Sequence, residues 1–272
     1  MYTEYQPSPI LAPYIDNYWE FKGNPEYGMR VHILPDGCAD FIFTFGEIAN
    51  AVEKEVQVMQ PYRSFFVGPM TRYSELVIYT ESVHMFGVRF LPCGLSCFTK
   101  LPLNEFANQR ISTSDMSSVF EETFVERLSE QKHINGRIRL VEEYLLLYLQ
   151  HYYQSADARI VFAVNTINQF KGKLSMINLM DEVCMCQRHF ERKFKHCTGF
   201  TPKEYSRIVK FKNAIDLLRN STTANLLSTA IDAGYYDLSH FSKEIKALSG
   251  NTPGSFLSLT VPDDITLTYV ES

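Results

Sequence analysis

The chain has 272 residues, 45% of them apolar and 21% charged, which suits a water-soluble globular protein with room for two domains. There is no run of 18 or more apolar residues, and the MYTEYQPSPI terminus lacks a basic-then-apolar leader, so we expect a cytoplasmic protein with no membrane partner. The net charge of −5 is unevenly spread: residues 1–155 hold 12 Lys/Arg against 19 Asp/Glu, residues 156–258 hold 14 against 9, and residues 259–272 hold none against 3. Basic charge is densest from Arg188 to Lys212, opposed only by Glu191 and Glu204, which marks the carboxy-terminal part as a candidate polyanion binder. The cysteines Cys38, Cys93, Cys97, Cys184, Cys186 and Cys197 have no regular framework, and a chain this size in the cytoplasm needs no disulfides.

In chain order, residues 28–90 read as strands. The runs RVHIL, DFIFTFG, RSFFVGP, ELVIYT and HMFGVRF are β-branched and aromatic and are separated by turn signals, among them Pro35-Asp36-Gly37. From Ser117 to Gln150 the apolar spacing becomes helical, through Val119, Phe120, Phe124 and Leu128 and then Ile138, Val141, Leu145 and Leu149, with a break expected near Asn135-Gly136. The aperiodic HYYQSADA segment, residues 151–158, suggests the domain boundary. Everything after it reads as helix, up to an acidic tail, residues 259–272, expected to be disordered or locally packed.

The strongest signal is an internal repeat at an offset of 51 residues. HFERKFKHCTGFTPKEY (189–205) aligns without a gap on HFSKEIKALSGNTPGSF (240–256). The His-Phe pairs, Lys195/Lys246, Gly199/Gly250 and the Thr-Pro pairs are identical. Each copy follows a short apolar segment and a tight turn: SMINLMDEV with Cys184-Met185-Cys186, and LLSTAIDA with Gly234-Tyr235-Tyr236. Phe190, Phe194 and Cys197 share one helix face, as do Phe241, Ile245 and Leu248, so both faces must be buried. The opposite faces carry Gln187, Arg188, Glu191, Arg192 and Lys195 in the first copy and Leu238, Ser239, Ser242, Lys243 and Lys246 in the second. Gly199 and Gly250 stand where left-handed helix ends are needed. Thr201-Pro202-Lys203-Glu204 is a capping box with proline in the first turn, and behind it Tyr205, Ile208, Phe211, Ile215 and Leu218 stripe a helix of about 18 residues, roughly 27 Å long.

A short helix, a tight turn and a second helix with a basic outer face form a unit that places one helix in a DNA major groove. Two such units on a linker helix suit two successive grooves if the readers stand about 34 Å apart. Arg and Lys would supply phosphate and guanine contacts, and Gln187, Ser239 and Ser242 hydrogen bonds to base edges.

These residues resemble the tandem helix-turn-helix domain of AraC/XylS-type transcriptional regulators, most specifically through GYYDLSHFSKEIKALSGNTPGSF. LAPYIDNYWEF, LPDGCADFIFTFG and FGVRFLPCGL are similar to the β-rich sensor domains that precede such domains. The resemblance implies an α+β chain. Residues 1–115 would be a β-rich, cupin-like sensor, 116–155 a helical dimerisation or linker segment, and 156–258 the DNA-binding domain. It implies double-stranded DNA as partner, a homodimer, a small-molecule effector and contact with RNA polymerase, with no cofactor, metal or catalysis. The matching positions for DNA contact include Arg188, Arg192, Ser239 and Lys243. Cys184 replaces the usual turn glycine, Cys186 the usual hydroxyl cap, Met180 a common alanine, Leu238 a hydrogen-bonding side chain and Lys243 an arginine, so a looser first hairpin and weaker base discrimination by the second are expected. The alternative is a thiol- or metal-responsive regulator. It would use Cys184 and Cys186, with His189 and Cys197 nearby, or Cys93 and Cys97. For an enzyme only Asp36, Asp40 and His84 offer a charged constellation, and no hydrolase, phosphate-loop or zinc-protease motif accompanies them.

Overall fold

Strands that bury side chains on both faces cannot alternate polar with apolar residues, and the amino-terminal half is built from such strands. The computed structural model describes residues 2–45, 59–116, 119–121, 123–152, 155–220, 225–257 and 267–270. Its strands are β1 (Tyr2–Tyr5), β2 (Ile15–Gly23), β3 (Met29–Ile33), β4 (Ala39–Thr44), β5 (Ser64–Val67), β6 (Ser74–Ile78), β7 (Val83–Phe90), β8 (Arg110–Ser112) and β9 (Leu267–Val270). They form two antiparallel sheets, six-stranded in the order β1-β2-β7-β4-β5-β8 and three-stranded in the order β6-β3-β9. In β4, Phe41 and Phe43 enter one core while Ile42 enters the other; in β5, Phe66 is divided from Phe65 and Val67 in the same way. The first core joins the six-stranded sheet to α1 (Phe124–Ser129) and α2 (Ile134–Tyr152); the second fills the space between the sheets.

The β-rich reading is therefore met, with corrections. β1 and β2 lie outside the residues read as strands: β1 is only four residues long, and the first half of β2 mixes polar and apolar residues out of step; β2 pairs with β7 along most of its length. The helix break falls at Glu130–His133, and Asn135-Gly136 lies within the first turn of α2. The tail does not end in local packing: Leu267–Val270 pairs antiparallel with β3, at the edge of the three-stranded sheet. Asp263, Asp264 and Glu271 lie outside the described residues, as does Ser117.

Between α2 and β9 the described residues form six α-helices: α3 (Ala158–Gln169), α4 (Met176–Val183), α5 (Gln187–Thr198), α6 (Pro202–Arg219), α7 (Leu226–Asp232) and α8 (Leu238–Ser249). One core packs α3, α4, α5 and the first half of α6; another packs the second half of α6 with α7 and α8. Each core takes in a residue from the amino-terminal half, Cys93 in the first and Leu34 in the second.

Candidate nucleic-acid interface

Burial of Phe190, Phe194 and Cys197 on α5, and of Phe241, Ile245 and Leu248 on α8, turns the opposite faces of both helices outward. On α5, Gln187, Arg188, Glu191, Arg192 and Lys195 are exposed; on α8, Leu238, Ser239, Lys243 and Lys246 are exposed and Ser242 is half-buried. Gln187 is partly occupied within its own helix, since its amide donates to Glu191 Oε1 at 2.9 Å. Of the basic residues on α5, Lys193 was not singled out by periodicity, and it has a structural partner: its Nζ lies 2.6 Å from Asp157 Oδ2. With Arg159, it holds the Asp157 carboxyl well below the ordinary range while Asp157 caps α3.

The ends of the readers follow from local chemistry. Gly199 (φ 85°) and Gly250 (φ 76°) close α5 and α8 in the left-handed conformation. Thr201 and Glu204 form the reciprocal capping box that starts α6, and Tyr205, Ile208, Phe211, Ile215 and Leu218 are buried along it. At the start of α8, Asp237 accepts from the His240 backbone at 2.7 Å; Cys186, in the equivalent place before α5, makes no side-chain cap. Cys184 takes the left-handed conformation (φ 53°) at the first turn, where the second has Gly234 (φ 84°). Arg207 of α6 grips Glu244 of α8 through two hydrogen bonds of 2.5 and 3.2 Å, tying the linker helix to the second reader. Two exposed groups beside that reader were passed over by the pattern of its outer face. They are Tyr236, 92% exposed in the turn, and His240, whose ring packs edge-on against Tyr235.

Residues 179–258 match the family described as a helix-turn-helix domain, spanning α7, α8 and most of the first unit. That part of the chain is a helix-turn-helix domain. Residues 3–112 match a domain of unknown function, DUF6597. ToxT from Vibrio cholerae is similar over 88% of this chain and 97% of its own, at 10% identity and a TM-score of 0.53, which shows a shared two-domain fold. Two further similarities have TM-scores below 0.5. An unsaturated-fatty-acid-bound ToxT from Vibrio cholerae strain SCE256 has 10% identity, 94% coverage of each chain and a TM-score of 0.42. The xylose-binding transcription activator xylR has 19% identity, coverage of 45% of this chain and 38% of its own, and a TM-score of 0.34. No curated protein matches the sequence.

Within the apolar core between the two amino-terminal sheets is a small cavity, with about 60 Å³ in which the centre of a water-sized molecule can sit. Trp19, Val31, Ile42, Val67, Leu76 and Met85 give it apolar walls. The charged constellation noticed in the sequence is divided. Asp36 and Asp40 converge on Arg89, whose Nε lies 3.4 and 3.2 Å from their carboxylates, and Trp19 Nε1 donates to Asp40 at 2.8 Å. Burial pushes the Asp40 carboxyl up to about 6 against the opposing pull of Arg89. His84 belongs elsewhere, 2.8 Å from Glu20 and 3.1 Å from Arg137, and burial lowers its pKa.

The cysteines of the alternative reading are dispersed. Cys184 and Cys186 are exposed, while Cys93 and Cys97 are buried in different cores. Cys93 shares a thiol hydrogen bond with Cys197 across the domain boundary, which raises the Cys93 thiol and lowers that of Cys197. No group of three or more metal-ligating side chains occurs among the described residues, and no described helix is long and apolar enough to cross a membrane.

Proposed function

We propose that the protein controls transcription by inserting α5 and α8 into successive major grooves on one face of a DNA duplex. Arg188, Glu191, Arg192 and Lys195, together with Gln187, form the first reading surface; Leu238, Ser239, Ser242, Lys243 and Lys246 form the second. The observation that carries this reading is the free outer face of both helices, basic in each, opposite faces that are fully committed to the core. Its action is binding and not catalysis, in the cytoplasm. Residues 1–115 act as sensor, 116–155 as the pairing segment and 156–258 as the grip on DNA.

The cavity between the sensor sheets suits a small, mainly apolar effector oriented by the Asp36–Arg89–Asp40 cluster. A homodimer paired through α2 is supported by Leu147, 56% exposed, two turns from the half-buried Leu140 on the same side of the helix.

The test is selection of bound duplexes from random DNA with the full chain, followed by titration in salt. A defined two-part sequence, bound with an affinity that falls linearly in log-log terms as salt rises, is expected; with six phosphate contacts the loss from 50 to 200 mM salt is about a thousandfold. Recovery of no sequence at low salt would refute the reading.

A further inference from the structure

The loop between β5 and β6, residues 68–73, touches both reading helices and the sensor cavity at once. On its outer side it meets the two equivalent glycines of the repeat. A β-carbon on Gly199 would stand 2.8 Å from Pro69 Cγ, and one on Gly250 would stand 2.7 Å from Tyr73 Cζ. The glycines end α5 and α8, so side chains only four positions apart in one sensor loop press directly on the backbone at the ends of both readers. The glycine side of each contact is bare backbone, which cannot rotate away as a side chain can, so any yielding falls to the Pro69 and Tyr73 side chains. On its inner side the same loop contributes Gly68 and Met70 to the cavity wall.

The loop is itself held. Gly68 N donates to Gln109 O at 2.9 Å and Asn108 N to Pro69 O at 3.0 Å. Asn108 Oδ1 accepts from both the backbone and the hydroxyl of Thr71, at 2.8 and 3.0 Å. The Tyr73 ring lies against His32 of β3, with centroids 5.4 Å apart. A second contact runs beside it: Gly37 packs on Tyr205 of α6, and Lys212 donates to the Asp36 carbonyl.

We infer that Pro69 and Tyr73 are positioning residues for DNA recognition. They set the separation and relative turn of α5 and α8, and hence the half-site spacing that the protein accepts. The physical need is plain: readers that must enter grooves about 34 Å apart lose one set of contacts when the second half-site is rotated by a single base pair, roughly 35°. Because Gly68 and Met70 line the cavity, an effector there would act on spacing through the same loop. This inference rests on the two-reader function proposed above.

The test uses the full chain, the selected two-part duplex, duplexes with one base pair added or removed between the halves, and a duplex carrying one half only. Tyr73→Ala is expected to cut the preference for the selected spacing by about fivefold or more. Affinity for a single half should stay within about twofold. Tyr73→Phe, which keeps the ring, should retain the preference. Asn108→Gly keeps the left-handed backbone but removes the acceptor that pins Thr71, so it should loosen spacing in the same direction without touching either reader. Unchanged spacing preference in both Tyr73→Ala and Asn108→Gly would overturn the inference, as would an equal loss of affinity on every duplex, single half included. If the wild type binds one half as well as two, it is the two-reader function that fails, and this inference falls with it.

Discussion

The two helix-turn-helix units bury the same positions of one repeat, yet they are finished differently. The second has Gly234 at its turn and Asp237 capping its reader; the first has Cys184 forced into a left-handed conformation and Cys186 with no cap bond. The first carries Arg188 and Arg192 where the second carries Ser239 and Lys243, with a lysine in both at Lys195 and Lys246; Glu191 evens the net charge, so the difference is in arginine. A well-capped reader with few forked donors beside a poorly capped one rich in arginine suggests a division of labour, with affinity and guanine reading concentrated in the first unit.

The largest effect that separates the units should be on DNA. Arg192→Ala is expected to cost about 1–3 kcal/mol, confined to one operator position if the arginine reads a base, and uniform across sequences if it holds phosphate. Lys243→Ala should cost less, on the order of 1 kcal/mol or below, with little change in sequence preference. Equal losses measured by fluorescence anisotropy on selected and scrambled duplexes would erase the proposed contrast.

Smaller effects belong to the caps and turns. Asp237→Ala should lower stability by about 1 kcal/mol, whereas Cys186→Ala should be close to neutral because no cap bond is lost. Cys184→Gly should raise stability by about 0.5–1 kcal/mol, by removing the left-handed strain at the first turn. Denaturant unfolding followed by circular dichroism reads all three, and a neutral Asp237→Ala would mean that the second unit gains nothing from its cap.

What could be read in advance was local. The repeat, the faces of α5 and α8, the capping box at Thr201 and the glycine ends depend on residues within a few positions of one another, and each was met. The amino-terminal strands were legible where a turn signal bounded them, as at Gly37, but β2 was not, because IDNYWEFKG alternates only from Trp19 to Lys22, and its first half buries a polar Asn17 beside a register shift. Contacts between distant segments had no pattern to announce them. Nothing about Pro69 or Tyr73 points to Gly199 or Gly250, and nothing in the tail points to its pairing with β3. Gln187 and Glu191 stand on the predicted face, but their mutual hydrogen bond, an i,i+4 pair, makes them partners of each other before they are partners of a base.

The most direct measurement is hydroxyl-radical footprinting of the selected duplex with the full chain, repeated with Arg188 and Arg192 both changed to alanine and, separately, with Lys243 changed to alanine. The account predicts two protected segments about one helical turn apart on one face of the duplex, with the double change weakening one and Lys243→Ala weakening the other. A single protected segment, or two that survive both sets of substitutions, would contradict it.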